Sequence, residues 1–420
     1  MVDYESILNT NMISALGCTE PIAIALSAAK ARELLGSDPE RITVFCSGNI
    51  IKNTLSVIVP NTNGMSGIKA ASAVGCFGGN AELGLEVLTS ADESAIEQAQ
   101  AFIAAERIEV RHVQDVDKIY VRTFMEADSH TAEATIAYSH THFAQLSKDG
   151  ECLFCDTPDH VIEQQGSEEK MNIHDILTYA ASIDFSKEQA LAALLEKQIV
   201  TNYAIAEEGL RHEYGAAVGR TVLDSYPDSC RTRIRAYTAA GSDARMAGSS
   251  KAVVINSGSG NQGMTVSLPL IVYAKDHGVE RERLYRSLII SNLIAIYIKR
   301  QIGNLSAFCG VVSAAAAAGA GLAYLEGFSE EQIGAVVSNA LLTSGGIFCD
   351  GAKASCAAKI SISLETALTS IEMVRQERRF PTLDGLGAQD HDQTIRNVAK
   401  VARDGMQETD DEILAIMLNK

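Results

Sequence analysis

Tryptophan is missing from the chain, and the aromatic residues together reach only 5 %. A core without large rings must be filled by the aliphatic and small residues of the 46 % hydrophobic fraction, with 32 glycines allowing backbones to come close. Ala-packed helices suit that composition better than aromatic-filled sandwiches, so the class reads as helix-rich. Basic residues are scarce as well: 35 Lys and Arg against 53 Asp and Glu leave a formal charge of -18. Such a surface repels phosphate backbones, and no basic stripe with interleaved aromatics relieves it, which argues against nucleic acid as a partner. Small-molecule chemistry fits better.

Long apolar runs are also lacking. The uncharged stretch Asn304 to Tyr324 has the length of a spanning helix, but it is built from Ala and Gly, which give little insertion energy. It reads as a buried helix, and no membrane partner is expected. The opening MVDYESILNTNMISALG carries acids early and has no basic region before an apolar core, so no secretory leader is expected and the chain is placed in the cytoplasm. There, nine cysteines are thiols or metal ligands and not a disulfide framework. No internal repeat stands out.

At 420 residues the chain exceeds what one core usually holds, so two domains are expected. Residues 4–35 read as helix interrupted by a loop at Gly17-Cys18-Thr19-Glu20-Pro21, with Pro21 suiting a first helical turn. The β-branched runs RITVFCSG (41–48) and TLSVIVP (54–60) read as strands, and the alternation from Arg107 to Cys155 predicts an antiparallel meander. After the polar run Gln164 to Lys170, read as a linker, nearly everything has helical periodicity. The expected class is α+β: an N-terminal α/β domain with an antiparallel sheet over 1–165, followed by a mostly α-helical domain over 166–420.

Cys309, in NLSAFCG, precedes the pair Cys349 and Cys356 in CDGAKASC. Thiolates select iron-sulfur clusters or zinc, and three thiolates would leave a metal position open for a substrate. Free cysteines are also among the most buried residues, and spacing alone leaves both readings open. In a continuous helix the seven-residue step from Cys349 to Cys356 would rise roughly 10 Å, so a shared cluster requires the segment to bend at Gly351.

Gly258-Ser-Gly260-Asn-Gln-Gly263 matches G-x-G-x-x-G after the strand-like AVVIN, the pattern of a nucleotide-dependent oxidoreductase. The following sequence lacks a second strand ending in an acid and places Pro269 within the apolar segment, which argues against a dinucleotide fold. A helix opening after these glycines would aim amides at a carboxylate or phosphate. Asp243 and Arg245 stand two apart among small residues; Arg245 could clamp a carboxylate, or the two could pair with each other. Cys152 and Cys155 form a lone CxxC assigned to structure, and Cys46, Cys76 and Cys230 are assigned to the core. His140 and His142 are expected on one face of a strand, where they could bind metal or serve as acid and base, but they lack a third ligand. Cys18 sits at an expected helix start, where amide dipoles would lower its pKa.

The motifs GCTEP, NIIKN, SDARMAG, NSGSGNQG, LSAFC, CDGAKASC and MQETDDEI together resemble the L-cysteine desulfidase family, related to the iron-sulfur L-serine dehydratases through their α-chain, from about residue 15 to residue 415. The resemblance implies a 4Fe-4S enzyme that converts L-cysteine and water to pyruvate, ammonia and hydrogen sulfide without pyridoxal phosphate. It implies Cys309, Cys349 and Cys356 as cluster ligands and Cys18 as base, substrate contact or additional ligand. Elimination needs a base at Cα and a Lewis acid at the leaving group, and Asn49, Lys52, Asn53, Arg245, Ser257, Ser259, Asn261 and Gln262, on polar or glycine-bent loops, are the candidates for holding an amino-acid substrate. Serine in place of cysteine, a nucleotide-dependent enzyme and a non-catalytic binding protein stand as alternatives, and homo-oligomer formation is left open.

Overall fold

The computed structural model describes residues 2–156, 171–303, 305–382 and 384–419. A short strand β1 (Ser14–Leu16) precedes β2 (Arg41–Cys46), β3 (Ile108–His112), β4 (Tyr120–Ala127), β5 (His130–Ala137), β6 (Phe143–Lys148) and β7 (Glu151–Cys155). The last six form one sheet in the order β3-β2-β4-β5-β6-β7, antiparallel throughout except for the parallel β2–β3 pair. Alternation along β4 turns Val121, Thr123, Met125 and Ala127 inward. Helix Thr19–Leu35 covers that face, with the Ser27 hydroxyl 2.8 Å from the Thr123 hydroxyl and 2.9 Å from the Ala134 carbonyl.

Two local expectations change. The helix expected from residue 4 is split into helix Tyr4–Asn11, β1 and the Thr19–Leu35 helix. The strand expected over 54–60 does not form. Ser47 instead caps a helix over Gly48–Thr54, accepting from the Ile50 amide, and the β-branched run beyond it makes only an isolated bridge from Ile58 to Ser66. Val57 and Val59 are buried there without a ladder, so their branched side chains serve packing and not pairing.

Beyond residue 170 the described chain is helical apart from β8 (Ala252–Val254), which pairs antiparallel with β1 and so joins the two regions. The linker at Gln164–Lys170 and the boundary at 165/166 lie outside the described residues. Helix Gly310–Leu325, the uncharged Ala/Gly segment, is buried along nearly its whole length among helices Gly260–His277, Arg281–Ile302, Glu330–Ser344 and Cys356–Arg375. Its small residues set those distances: a Cβ on Gly321 would lie 2.9 Å from Leu270 and 3.0 Å from the Ser287 carbonyl oxygen. Among the described residues no helix is long and apolar enough to cross a membrane. The C-terminal helix Gln407–Leu418 packs back onto Gly48–Thr54.

Candidate active site

Four helices begin around one cavity. Cys18 is the N-cap of Thr19–Leu35, Ser259 of Gly260–His277, Cys309 of Gly310–Leu325 and Ser355 of Cys356–Arg375. Each start presents unpaired amides and the positive end of a helix dipole, which favours a negatively charged occupant. The cavity, about 110 Å³, is lined by Cys18, Lys52, Asn53, Arg245, Ser257, Ser259, Asn261, Gln262, Cys309, Cys349 and Cys356 among others.

Local geometry brings the three C-terminal cysteines there. Phe308 and Phe348 form an antiparallel bridge, with the Cys309 amide donating to the Ile347 carbonyl and the Cys349 amide to the Ala307 carbonyl. That bridge sets two sulfurs distant in sequence side by side. Between Cys349 and Cys356 the chain bends, as the spacing required: Gly351 has φ +94°, and a Cβ on it would fall 2.5 Å from the Lys52 carbonyl oxygen. The Lys353 amide donates to the Cys356 sulfur at 3.5 Å. Cys309 and Cys349 interact so closely that hydrogen bonding from Cys309 holds the Cys349 thiol down, while the same contact holds the Cys309 thiol up.

Among the described residues no three His, Cys, Asp or Glu side chains lie close enough to hold a single metal ion. The three thiols line the same cavity. The walls are polar and unsatisfied: Asn53 Oδ1, His140 Nε2, Arg245 Nε, Asn261 Oδ1 and Gln262 Oε1 are buried without hydrogen-bond partners. Such orphaned groups in one cavity mark a place for a polar ligand.

Arg245 is 3 % exposed, and Gly260 is the only kind of residue that fits beside it, since a Cβ there would lie 2.3 Å from Nε. Asp243 does not pair with it; Asp243 accepts the Gly219 amide at 2.9 Å. The turn Asn256-Ser257-Gly258-Ser259 closes through two backbone hydrogen bonds, with φ +48° at Ser257 and +75° at Gly258, the left-handed pair that a type I′ turn requires. The glycine fingerprint therefore does open a helix, but β8 pairs only with β1 and antiparallel, so no βαβ unit surrounds it.

The expectations for Cys18 and Asn49 change. Cys18 is buried, and that burial pushes its thiol up to about 11 despite the opposing charge of Arg245. A helix-start dipole contributes about 0.3–1 kcal/mol, less than one pKa unit, and desolvation outweighs it. Asn49 lies outside the cavity in a neighbouring groove, where its amide donates to Asp410 at 2.8 Å. Lys52 stays, 2 % exposed, with Nζ paired to Asp410 and 3.5 Å from the Cys349 carbonyl.

Three titratable residues of the cavity, Glu20, His140 and Lys299, were not singled out as its members. Glu20 is held down to about 2: burial would raise it, but His140 beside it, its backbone amide and Arg245 more than offset that. His140 is not on a strand face with His142. The chain leaves β5 at Tyr138, φ +70°, which turns His140 into the cavity and His142 toward Asp156, 3.2 Å away. Lys299, on helix Arg281–Ile302, is lowered to about 8 by burial. In the sequence, only the acid within GCTEP and the SHTH pair hinted at any of these.

A family model described as "Serine dehydratase alpha chain" matches residues 82–415. The UPF0597 protein of Lachnoclostridium phytofermentans is similar, 46 % identical over 413 residues that cover 98 % of each chain. That of Finegoldia magna is 44 % identical over 422 residues, covering 100 % of both.

Proposed function

Because this chain belongs to the serine dehydratase alpha chain family, we propose that it is a cytoplasmic iron-sulfur lyase that eliminates the β-substituent of a small L-amino acid, L-cysteine by preference. The observation that carries the reading is the convergence of Cys309, Cys349 and Cys356 on one polar cavity at four helix starts. The chemistry of the donor set fits a 4Fe-4S cluster with one iron free of protein ligands. Bound there, the cluster supplies a Lewis acid that polarises the bond from Cβ to sulfur or oxygen.

The chain's own residues do the rest. Arg245 and the Gly260 amide receive the substrate carboxylate, the role a buried guanidinium beside a helix start serves best. Asn261 and Gln262 offer carbonyl oxygens, buried and unpaired, to the ammonium group. Cys18 forms wall against Cβ and its substituent, packed 4.0 Å from the Met246 sulfur. Loss of the Cα proton and the β-substituent leaves aminoacrylate, whose imine tautomer hydrolyses to pyruvate and ammonia.

L-serine is the second reading, favoured by the description of the family and served by the same residues. The antiparallel pairing of β8 speaks against a nucleotide-dependent enzyme, and the unsatisfied cavity against a purely structural protein. Anaerobic reconstitution should give brown protein that holds iron and sulfide and releases pyruvate from cysteine or serine despite pyridoxal-phosphate scavengers. Alanine at Cys309, Cys349 or Cys356 should abolish the colour without unfolding the chain. Protein that stays colourless and inactive after reconstitution would overturn the reading, and initial rates on cysteine, serine and threonine decide the substrate.

A further inference from the structure

The elimination needs a group to take the Cα proton, and Cys18 is poorly suited, its thiol being buried beside Met246, Val57 and Cys356. The same cavity holds a better acceptor. His140 is 8 % exposed; its Nε2 is buried with no hydrogen-bond partner among the described residues within normal distance and stands 3.7 Å from Glu20 Oε1. The imidazole seats on the backbone of Gly258, where a Cβ would come within 3.2 Å of Nδ1 and 3.1 Å of Cε1. Glu20 is fixed in turn, Oε1 accepting from Asn53 Nδ2 at 2.9 Å and Oε2 lying 3.1 Å from the Thr19 hydroxyl, which reaches the Gly258 carbonyl at 2.8 Å. An imidazole beside a fixed carboxylate, lining the same cavity as three thiols, is arranged for proton transfer.

We propose that His140 is the catalytic base of the elimination and Glu20 the residue that positions it, an assignment that rests on the lyase reading above. A ring nitrogen of His140 takes the Cα proton, and the electron pair of that C–H bond forms the Cα–Cβ double bond. The bond from Cβ to sulfur breaks with its pair leaving on sulfur. Stabilised by the Glu20 carboxylate, the protonated ring returns its proton to the departing sulfide, so His140 ends the cycle as it began it and no external oxidant or reductant takes part. With serine the same steps release hydroxide, which takes that proton as water.

The test compares reconstituted wild type with His140→Gln, His140→Asn, Glu20→Gln and Cys18→Ser. Cluster absorbance, its change when substrate is added, KM, kcat and melting temperature are read for each. His140→Gln and His140→Asn are expected to keep the cluster, the substrate-induced spectral change and a KM near wild type, while kcat falls on the order of a thousandfold. Glu20→Gln should lower kcat by about tenfold to a hundredfold, since it leaves the imidazole in place without its carboxylate. Cys18→Ser should act mainly on KM. If both His140 variants fold, bind substrate and keep kcat within tenfold, or lose turnover only because the spectral change is lost, the assignment fails. A cluster-loaded wild type without turnover would instead sink the elimination reading, and this assignment with it.

Discussion

Lys52 and Asp410 form an ion pair in which the lysine is almost completely buried and the aspartate comes from the C-terminal helix. The same ammonium lies 3.5 Å from the carbonyl of Cys349, and the Lys353 side chain donates to the Lys52 carbonyl at 3.2 Å. The C-terminal helix, which has no buried residue of its own, is thereby fastened to the loop between Cys349 and Cys356. Removing one partner of a buried pair leaves an uncompensated charge and costs about 3–5 kcal/mol. Asp410→Ala should accordingly lower stability by about 3 kcal/mol in urea unfolding and reduce the iron retained after reconstitution. An unchanged midpoint would show that the pair contributes nothing.

Gly351 should tolerate no side chain. Its φ of +94° and the 2.5 Å approach to the Lys52 carbonyl mean that Gly351→Ala must move one loop against the other. A cost of about 1–3 kcal/mol is expected in thermal unfolding of the iron-free protein, with a larger relative loss of bound iron. Equal iron content in variant and wild type would contradict it.

Arg245→Gln tests the carboxylate site. A charge-assisted hydrogen bond contributes about 1.5–3 kcal/mol, so substrate KM should rise roughly tenfold to a hundredfold. The iron-free protein should be no less stable, because the buried guanidinium has an unpaired Nε to lose. A KM within twofold of wild type removes Arg245 from the binding site.

Asp243 carries a pH signature. Burial raises it to about 6 against the accepting bonds from Gly219 and Val218. Between its ordinary value near 4 and about 6 the folded state holds the proton more tightly than the unfolded one, so this group's stability contribution is present at low pH and lost as pH rises through 6. Asp243→Asn should therefore gain about 2 kcal/mol relative to wild type on going from pH 4 to pH 8. Parallel stability curves for the two proteins over that range would refute it.

That Cys309, Cys349 and Cys356 come together, and that NSGSGNQG turns into a helix, were readable in the sequence because each sits in a short motif where glycine fixes the backbone. Gly351 allows the bend between Cys349 and Cys356, and Gly258 and Gly260 set the turn and the helix start. His140 was misplaced because an alternating pattern carries no mark of where a strand ends, and the left-handed Tyr138 ends it two residues early. Lys299 was invisible for a different reason. Inside IYIKRQIG any helical position looks like any other, and only packing of helix Arg281–Ile302 decides that this lysine faces the cavity. The Cys18 expectation erred on magnitude: the dipole was weighed and desolvation was not. The 54–60 segment erred because branched side chains indicate burial as much as pairing.

The four helix starts belong to residues far apart along the chain, at Cys18, Ser259, Cys309 and Ser355. During synthesis the pocket is thus completed last at Cys356, after the helix starts at Cys18, Ser259 and Cys309 have been made. Slow release of an occupant would in turn report on the integrity of the whole molecule and not of one loop.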